Sequence, residues 1–124
     1  MIETSSAYIS KIDEDTIKMV LKPNSRISTE EYRSFLPAYK EILGKDSDIK
    51  FLVIVQTGAR VEKRMVDFLK TDFNTTYKKA EAYIIVSPIS RMFMKVMNKL
   101  INNKYPIRHF EREENAIEWL KSIK

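Results

Sequence analysis

The sequence predicts an α/β fold built on a single layer of mixed, mostly parallel sheet. Two uninterrupted apolar runs, Phe51–Val55 and Ala82–Val86, are typical of parallel strands covered on both faces. Segments with helical spacing of apolar residues separate these strands and follow them, and an alternating apolar pattern precedes them. The predicted order is ββαβαβαβα, with five strands and helices packed on the sheet, as expected for right-handed crossovers. We expect one domain over residues 1–124.

The first two predicted strands, at residues 6–12 and 16–22, form a hairpin. In the second strand Ile17, Met19 and Leu21 alternate with more polar neighbours, which indicates one wetter face. The acidic stretch 13–15 between the strands is the predicted turn.

The first predicted helix begins at a capping box. Ser28 precedes Glu31 by three residues, so the hydroxyl of Ser28 is placed to accept the amide of Glu31. Gly44 is the expected left-handed stop. Pro37 lies inside the helix, which predicts either a kink or a break into two pieces.

Three more helices and one more strand complete the prediction. A second helix is expected from about Val61 to Phe73, after the turn formed by residues 56–58. Ser87 is the expected N-cap of a third helix that reaches about Asn103, with Pro88 at its first position. A short strand, Ile107–Phe110, precedes a final helix, whose apolar residues are Ala116, Ile117, Trp119, Leu120 and Ile123.

Composition excludes several classes of site. The 124 residues include two glycines and no cysteine, so a glycine-rich phosphate loop, a disulfide frame and a cysteine zinc site are excluded. Neither a signal peptide nor an apolar run long enough to span a bilayer is recognisable, because the longest apolar runs have five residues. We therefore expect a cytoplasmic protein without a transmembrane segment.

The net charge of +5 arises in one segment. Between Ala82 and Phe110 there are five basic residues and no acidic one, while the remaining 17 basic residues balance the 17 acidic ones. Such a stripe is either a solvated helix face or an attractor of anions and acidic partners. Nucleic acid is disfavoured, because neither an aromatic–glycine platform nor a helix-turn-helix pair accompanies the stripe.

The order of elements and several local sequences resemble the STAS domain, the fold of the anti-sigma-factor antagonists and their SpoIIAA-like relatives. The resemblance covers nearly all of the chain, and it is closest to small bacterial STAS/SEC14-like proteins of uncharacterised function. Its motifs are Ala82–Arg91 entering a helix, Pro106–Phe110, and Glu114–Leu120 with its Ala-x-x-Trp-Leu pattern. The resemblance implies a regulatory or protein-interaction module rather than an enzyme.

The resemblance also implies a phosphorylation site. In regulatory STAS domains a serine or threonine that accepts phosphate precedes a glycine after the central strand, and Thr57-Gly58 falls at that place. The family's preceding Asp-Ser is replaced here by Val55-Gln56. A phosphate on Thr57 would meet the unpaired amides of a helix N-terminus, whereas the alternative interpretation is an ordinary turn with a capping hydroxyl.

The third predicted helix has an apolar face wider than one sheet contact requires. Three interpretations are open: the extra residues are core, they form a homodimer or other partner interface, or they line a groove for a lipid or small ligand bordered by Arg91, Lys95 and Lys99. The residues expected at a partner interface are Met94, Lys95, Met97, Lys99 and Ile101.

No catalytic constellation is recognisable, and we predict no cofactor and no metal site. His109 is the single histidine, and it is expected to have a structural role at a strand end. Open α/β sheets bind ligands beyond the carboxyl ends of their strands. Any anion pocket is therefore expected there, with Arg91 as its best anion contact. The expected rim residues are Gln56, Thr57, Gly58, Ser87, Pro88, Ser90 and Arg91.

Overall fold

The computed structural model describes residues 1–62, 64, 77–92, 95 and 105–124. Its strands are β1 (Ile2–Glu3), β2 (Ala7–Asp13), β3 (Thr16–Leu21), β4 (Arg26–Ile27), β5 (Ile49–Val55), β6 (Arg60–Val61), β7 (Lys78–Ile85) and β8 (Ile107–His109). Two helices have both ends within the described residues, α1 (Thr29–Leu43) and α2 (Glu113–Ser122). Residues 88–92 and 95 are also helical.

The main sheet has six strands in the order β1-β2-β3-β5-β7-β8. The pairs β1–β2 and β2–β3 are antiparallel, and the pairs from β3 to β8 are parallel. This confirms the predicted hairpin and the mostly parallel sheet, but the predicted count of five strands is wrong. The strand β1 and the separate parallel pair β4–β6 were not predicted, because two-residue strands are too short to show a period.

Both faces of the central strands are buried, which explains their uninterrupted apolar sequences. Phe51 of β5 packs with Phe35 and Tyr39 of α1 on one face. Leu52 packs with Leu120 of α2 on the opposite face. The parallel strands therefore lie between two apolar layers, as the pattern predicted.

The helix α1 has the predicted ends. The Ser28 hydroxyl accepts the Glu31 amide at 3.1 Å, and Gly44 ends the helix in the left-handed conformation. Pro37 lies within one continuous helix, so the alternative of a break is wrong. The Glu31 carboxylate accepts the Ser5 hydroxyl at 2.5 Å, which attaches the start of α1 to the segment between β1 and β2.

The predicted second and third helices fall largely outside the described residues. Val61, the expected start of the second helix, lies in β6 instead, because its segment pairs with β4. Most of the remaining positions of that prediction, 63 and 65–73, are outside the described residues, as are positions 93–94 and 96–103 of the third helix. Residues 88–92 confirm its start, since the Arg91 amide donates to the Ser87 carbonyl at 3.0 Å.

Strand β7 begins four residues earlier than predicted. The prediction started at Ala82, whereas the strand starts at Lys78. This part of the strand was not predicted because it contains the charged residues Lys78, Lys79 and Glu81 and therefore has no apolar run. The extension gives the sheet a buried polar cluster on its α1 face.

Candidate functional site

An open cleft of about 240 Å³ lies where β7 and β8 end and the helical segment 88–92 begins. It is at the carboxyl edge of the parallel strands, where open α/β sheets bind ligands. The described residues that line it are Ile85, Arg91, Lys95, His109, Phe110 and Glu111. Two cationic side chains, an imidazole and one carboxylate therefore share a concave surface with the apolar Ile85 and Phe110.

The Arg91 side chain is fixed by the end of β7. Its Nε donates to the Ile85 carbonyl at 2.9 Å, which anchors one edge of the guanidinium to the strand end, while the side chain as a whole remains exposed. Within the described part of the chain, the two terminal nitrogens of Arg91 have no hydrogen-bond partner. They can therefore donate to an oxyanion through the planar fork of the guanidinium.

His109 adds a titratable group to the same cleft. Its ring lies 5.8 Å from the ring of Tyr83, centroid to centroid, with 59° between the planes. Partial burial lowers the pKa of the His109 imidazole, and the positive charge of Lys95 lowers it further. The imidazole is therefore more often neutral near pH 6.5 than a free histidine. An anion beside it would favour the charged form.

Phe110 connects the cleft with α2. Its amide donates to the Tyr83 carbonyl at 2.8 Å, and its ring lies 5.7 Å from that of Trp119. The Arg108 guanidinium covers both rings, at 5.1 Å from Phe110 and 5.7 Å from Trp119. This stack holds the apolar wall of the cleft in place.

The structure separates the predicted rim residues into two places. Arg91 lies in the cleft, whereas Gln56, Thr57 and Gly58 form the turn after β5 and are not among the described lining residues. Ser87 and Ser90, both half-buried, begin the helical segment beside the cleft without lining it. Pro88 is exposed in that segment and does not line the cleft either.

The turn that contains Thr57 differs from the predicted helix N-terminus. Thr57 is exposed, but the Ala59 amide donates to the Gln56 carbonyl at 3.0 Å, and the Arg60 amide donates to the Ser25 carbonyl at 2.9 Å. These amides are occupied by the turn and by the β4–β6 pair. They offer nothing to a phosphate on Thr57, and phosphorylation of this residue stays a prediction.

The predicted partner interface falls mostly outside the described residues. This applies to Met94, Met97, Lys99 and Ile101. Lys95 is described; it is exposed and lines the cleft. Three large apolar side chains near it along the chain are also exposed: Val86 at 53%, Ile89 at 82% and Met92 at 70%.

A buried polar cluster lies on the α1 face of the sheet. The Glu81 carboxylate accepts hydrogen bonds from the hydroxyls of Tyr83, at 2.5 Å, and of Tyr105. It also pairs with the Lys78 ammonium at 3.1 Å, and the Lys78 and Glu81 side chains are 7% and 3% exposed. Burial and the Glu81 charge raise the pKa of both tyrosines, so their hydroxyls stay protonated donors.

Aromatic rings surround the Lys78 ammonium. It lies 5.1 Å from the ring centroid of Tyr32 in α1 and between 5.7 and 5.8 Å from three further rings. These rings belong to Phe51, Tyr77 and Tyr105. The charge of the Glu81 carboxylate is paired with the Lys78 ammonium, which supports a structural role for the cluster. The cluster connects α1, β7 and Tyr105.

The sequence predicted neither this cluster nor the position of His109 and Glu111 in the lining of the cleft. The tyrosines at 32, 77, 83 and 105 are far apart in the chain and have no motif in common. A usable signal existed for the cleft, since Ile85 and His109 lie near the carboxyl ends of two predicted strands, and Arg91 and Glu111 follow those strands. Among the described residues, no group of three or more histidine, cysteine, aspartate or glutamate side chains could hold a metal ion.

The topology defines the class of this protein as a SpoIIAA-like α/β fold. It is similar to the crystal structure of an uncharacterised protein of the DUF3478 family with a SpoIIAA-like fold from Shewanella loihica PV-4. The TM-score is 0.59 at 18% identity, over 97% of this chain and 98% of the other. This confirms the resemblance stated from the sequence at the level of the fold.

The chain belongs to the family described as Domain of unknown function (DUF7793), which it matches over residues 10–124. A comparison with curated proteins finds no match. Across the described residues, no helix has the length and apolar character needed to cross a membrane.

Proposed function

We propose that this protein is a non-catalytic, STAS-like binding module that recognises an anionic group of a partner protein in the cleft between β7, β8 and the helical segment 88–92. One observation carries the proposal: Arg91, Lys95 and His109 line a single cleft at the carboxyl edge of the sheet. Arg91 and Lys95 carry two positive charges against the one negative charge of Glu111, so the cleft complements a carboxylate or a phosphate.

The residues of the cleft support binding rather than bond breaking. A histidine that acts as a base needs a nucleophile or a bound water within hydrogen-bond reach. Among the described lining residues there is no hydroxyl or thiol, and the neighbours of His109 are cations, an apolar wall and Glu111. The lowered pKa favours the neutral imidazole in the free protein, and an anion bound beside His109 would favour its protonated form.

The surface beside the cleft supports a protein partner. Ile89 and Met92 are a helical neighbour pair, three residues apart, and both are largely exposed. Exposed apolar side chains next to cations form the mixed surface typical of interfaces, in which the charges set orientation and the apolar groups supply area. An acidic side chain of the partner would occupy the cleft while its apolar residues cover Ile89 and Met92.

The test uses His109, since the single histidine gives an unambiguous NMR signal. Acetate, inorganic phosphate and a short peptide rich in aspartate and glutamate are titrated into the full chain while the imidazole protons are recorded. We expect saturable shifts, with Arg91→Gln and Lys95→Gln each weakening affinity by about tenfold. Lys11→Gln, an exposed change on β2, is the matched control. Absence of a saturable His109 shift with every anion would overturn the proposal.

Two other partners give different results. A lipid or small-molecule carrier would bind the headgroup anion as well as the peptide, and vesicles that contain an anionic lipid would retain it. A homodimer would show a mass in solution that doubles with concentration and a response to Met92→Lys. The acidic partner proposed here predicts neither vesicle retention nor a concentration-dependent mass.

A further inference from the structure

A second basic site lies on the other side of β5, where two turns are packed against each other. One turn follows β3 and contains Asn24, and the other follows β5 and contains Gly58. Both residues have left-handed backbone angles, with φ of 59° and 77°. The backbone N–H of Asn24 donates a hydrogen bond to the backbone carbonyl of Thr57 at 2.9 Å. A Cβ atom on Gly58 would lie 2.1 Å from the Asn24 Oδ1 and 3.2 Å from the Asn24 Cα, so a side chain at this left-handed position would force Asn24 to move.

The paired turns place β4 beside β6, in continuation of the β3–β5 pair. Arg26 pairs with Arg60, and Ile27 pairs with Val61. Ile27 is 2% exposed and belongs to the core, and Val61 packs against it. Since successive side chains of a strand point to opposite faces, Arg26 and Arg60 point together to solvent, on strands about 4.8 Å apart.

This arrangement places two like charges on neighbouring positions of the β4–β6 pair. Neither guanidinium has an ion pair in the described part of the chain. Like charges directly opposite each other in a sheet are destabilising. The two left-handed turn residues, Asn24 and Gly58, nevertheless support the strand pair that places the two arginines side by side.

We propose that Arg26 and Arg60 form a binding site for a phosphate group, distinct from the cleft around Arg91. Two guanidinium groups offer two planar forks and two full charges, which match the charge of about −1.5 to −2 on a phosphate monoester. A carboxylate carries one charge, and a single arginine satisfies it. The phosphate belongs either to a free small molecule or to a phosphorylated segment of another protein.

The test records the Nε–Hε signals of Arg26 and Arg60 by NMR while inorganic phosphate is added to the full chain. We expect saturable, one-to-one shifts of both signals. Arg26→Gln and Arg60→Gln should each weaken phosphate binding by about tenfold, while Arg112→Gln, an exposed change at the start of α2, leaves it unchanged. A phosphoserine peptide that binds more tightly than phosphate assigns the group to a protein partner, and equal affinities assign it to a free ligand.

Thermal unfolding supplies an independent check. Without phosphate, Arg26→Gln should raise Tm by about 1–3 °C, because the like-charge repulsion is removed. With saturating phosphate the wild type should have the higher Tm of the two proteins, because only the wild-type chain gains the full binding energy. Identical phosphate-induced shifts of Tm in the wild type and in Arg26→Gln/Arg60→Gln would overturn the proposal. Arg91→Gln should leave phosphate binding at Arg26 and Arg60 unchanged. The failure of this proposal can therefore be distinguished from the failure of the proposal for the cleft.

Discussion

The Lys78 ammonium and the Glu81 carboxylate lie 3.1 Å apart on one face of β7, although they are three residues apart in a strand. Regular alternation would place them on opposite faces. The register explains the exception: Ile49 pairs with Lys78 and Lys50 with Ala80, so Lys79 is the additional residue of a bulge. The bulge turns Lys78 towards the face of Glu81, as bulges commonly redirect a side chain.

Glu81→Gln should destabilise the protein by about 3 kcal/mol. The change keeps the size of the side chain and an oxygen acceptor for the tyrosine hydroxyls, but it leaves the buried Lys78 ammonium without its counter-ion. Denaturant unfolding at neutral pH measures the free energy of unfolding. Glu118→Gln, an exposed change on α2, is the control and should shift it by less than about 0.5 kcal/mol. A loss no larger than that of the control would contradict the role assigned to the pair.

Gly58→Ala should cost more stability than Gly44→Ala, although both glycines have nearly the same φ, 77° and 72°. Both changes incur about 1–2 kcal/mol for the left-handed conformation. Only Gly58 has a neighbour in the way, since Gly44 has nothing within 4 Å of the added Cβ. Adding Asn24→Gly to Gly58→Ala should recover part of the difference, because it removes the side chain that clashes. Equal losses at the two glycines would show that the turns do not require the close contact.

The pKa of His109 should lie below 6.5 in the folded chain and should rise when Lys95 is changed to Gln. Burial is the larger cause of the lowered value and would remain, while the repulsion from Lys95 would be removed. Arg91 and Glu111 line the same cleft, the Tyr83 ring lies 5.8 Å from the imidazole, and all three are unchanged in this variant. An NMR titration measures the pKa directly, and Lys11→Gln should leave it unchanged. No rise in Lys95→Gln would place the ammonium away from the ring.

The lowered pKa of His109 also predicts the direction of a stability change with pH. Because the pKa of His109 is lower in the folded chain, the unfolded chain binds the histidine proton more readily. The contribution of His109 to the free energy of unfolding is therefore complete above pH 6.5, and it is lost as the pH falls through the folded pKa. His109→Gln should reduce the dependence of stability on pH between about 5 and 7. Unfolding curves for both proteins at several pH values measure this. Parallel pH profiles for the two proteins would contradict the shift.

Ser28→Ala should destabilise the protein by about 1 kcal/mol, because the hydroxyl accepts the Glu31 amide at the start of α1. Ser28→Asp keeps an acceptor at the same place and should restore most of the loss. Denaturant unfolding measures both variants. Equal losses in the two would show that the cap contributes little.

The sequence by itself determined the hairpin, the parallel strands and the ends of α1. These features are local: period-two alternation, continuous apolar runs, and a serine and a glycine at the two ends of one helix. It also predicted that Arg91 lies at the carboxyl edge of the sheet, where the structure places it in the cleft; its contact with an anion stays a prediction. Each of these inferences required only residues that are neighbours in the chain or one general rule of topology.

Tertiary structure alone decided where the polar groups meet. Arg26 and Arg60 are 34 positions apart, and only the register of two two-residue strands makes them neighbours. A one-residue bulge joins Lys78 to Glu81, and Tyr105 reaches the same carboxylate from a distant part of the chain. Register and bulges depend on packing summed over the whole sheet, so no local pattern of the sequence carries them.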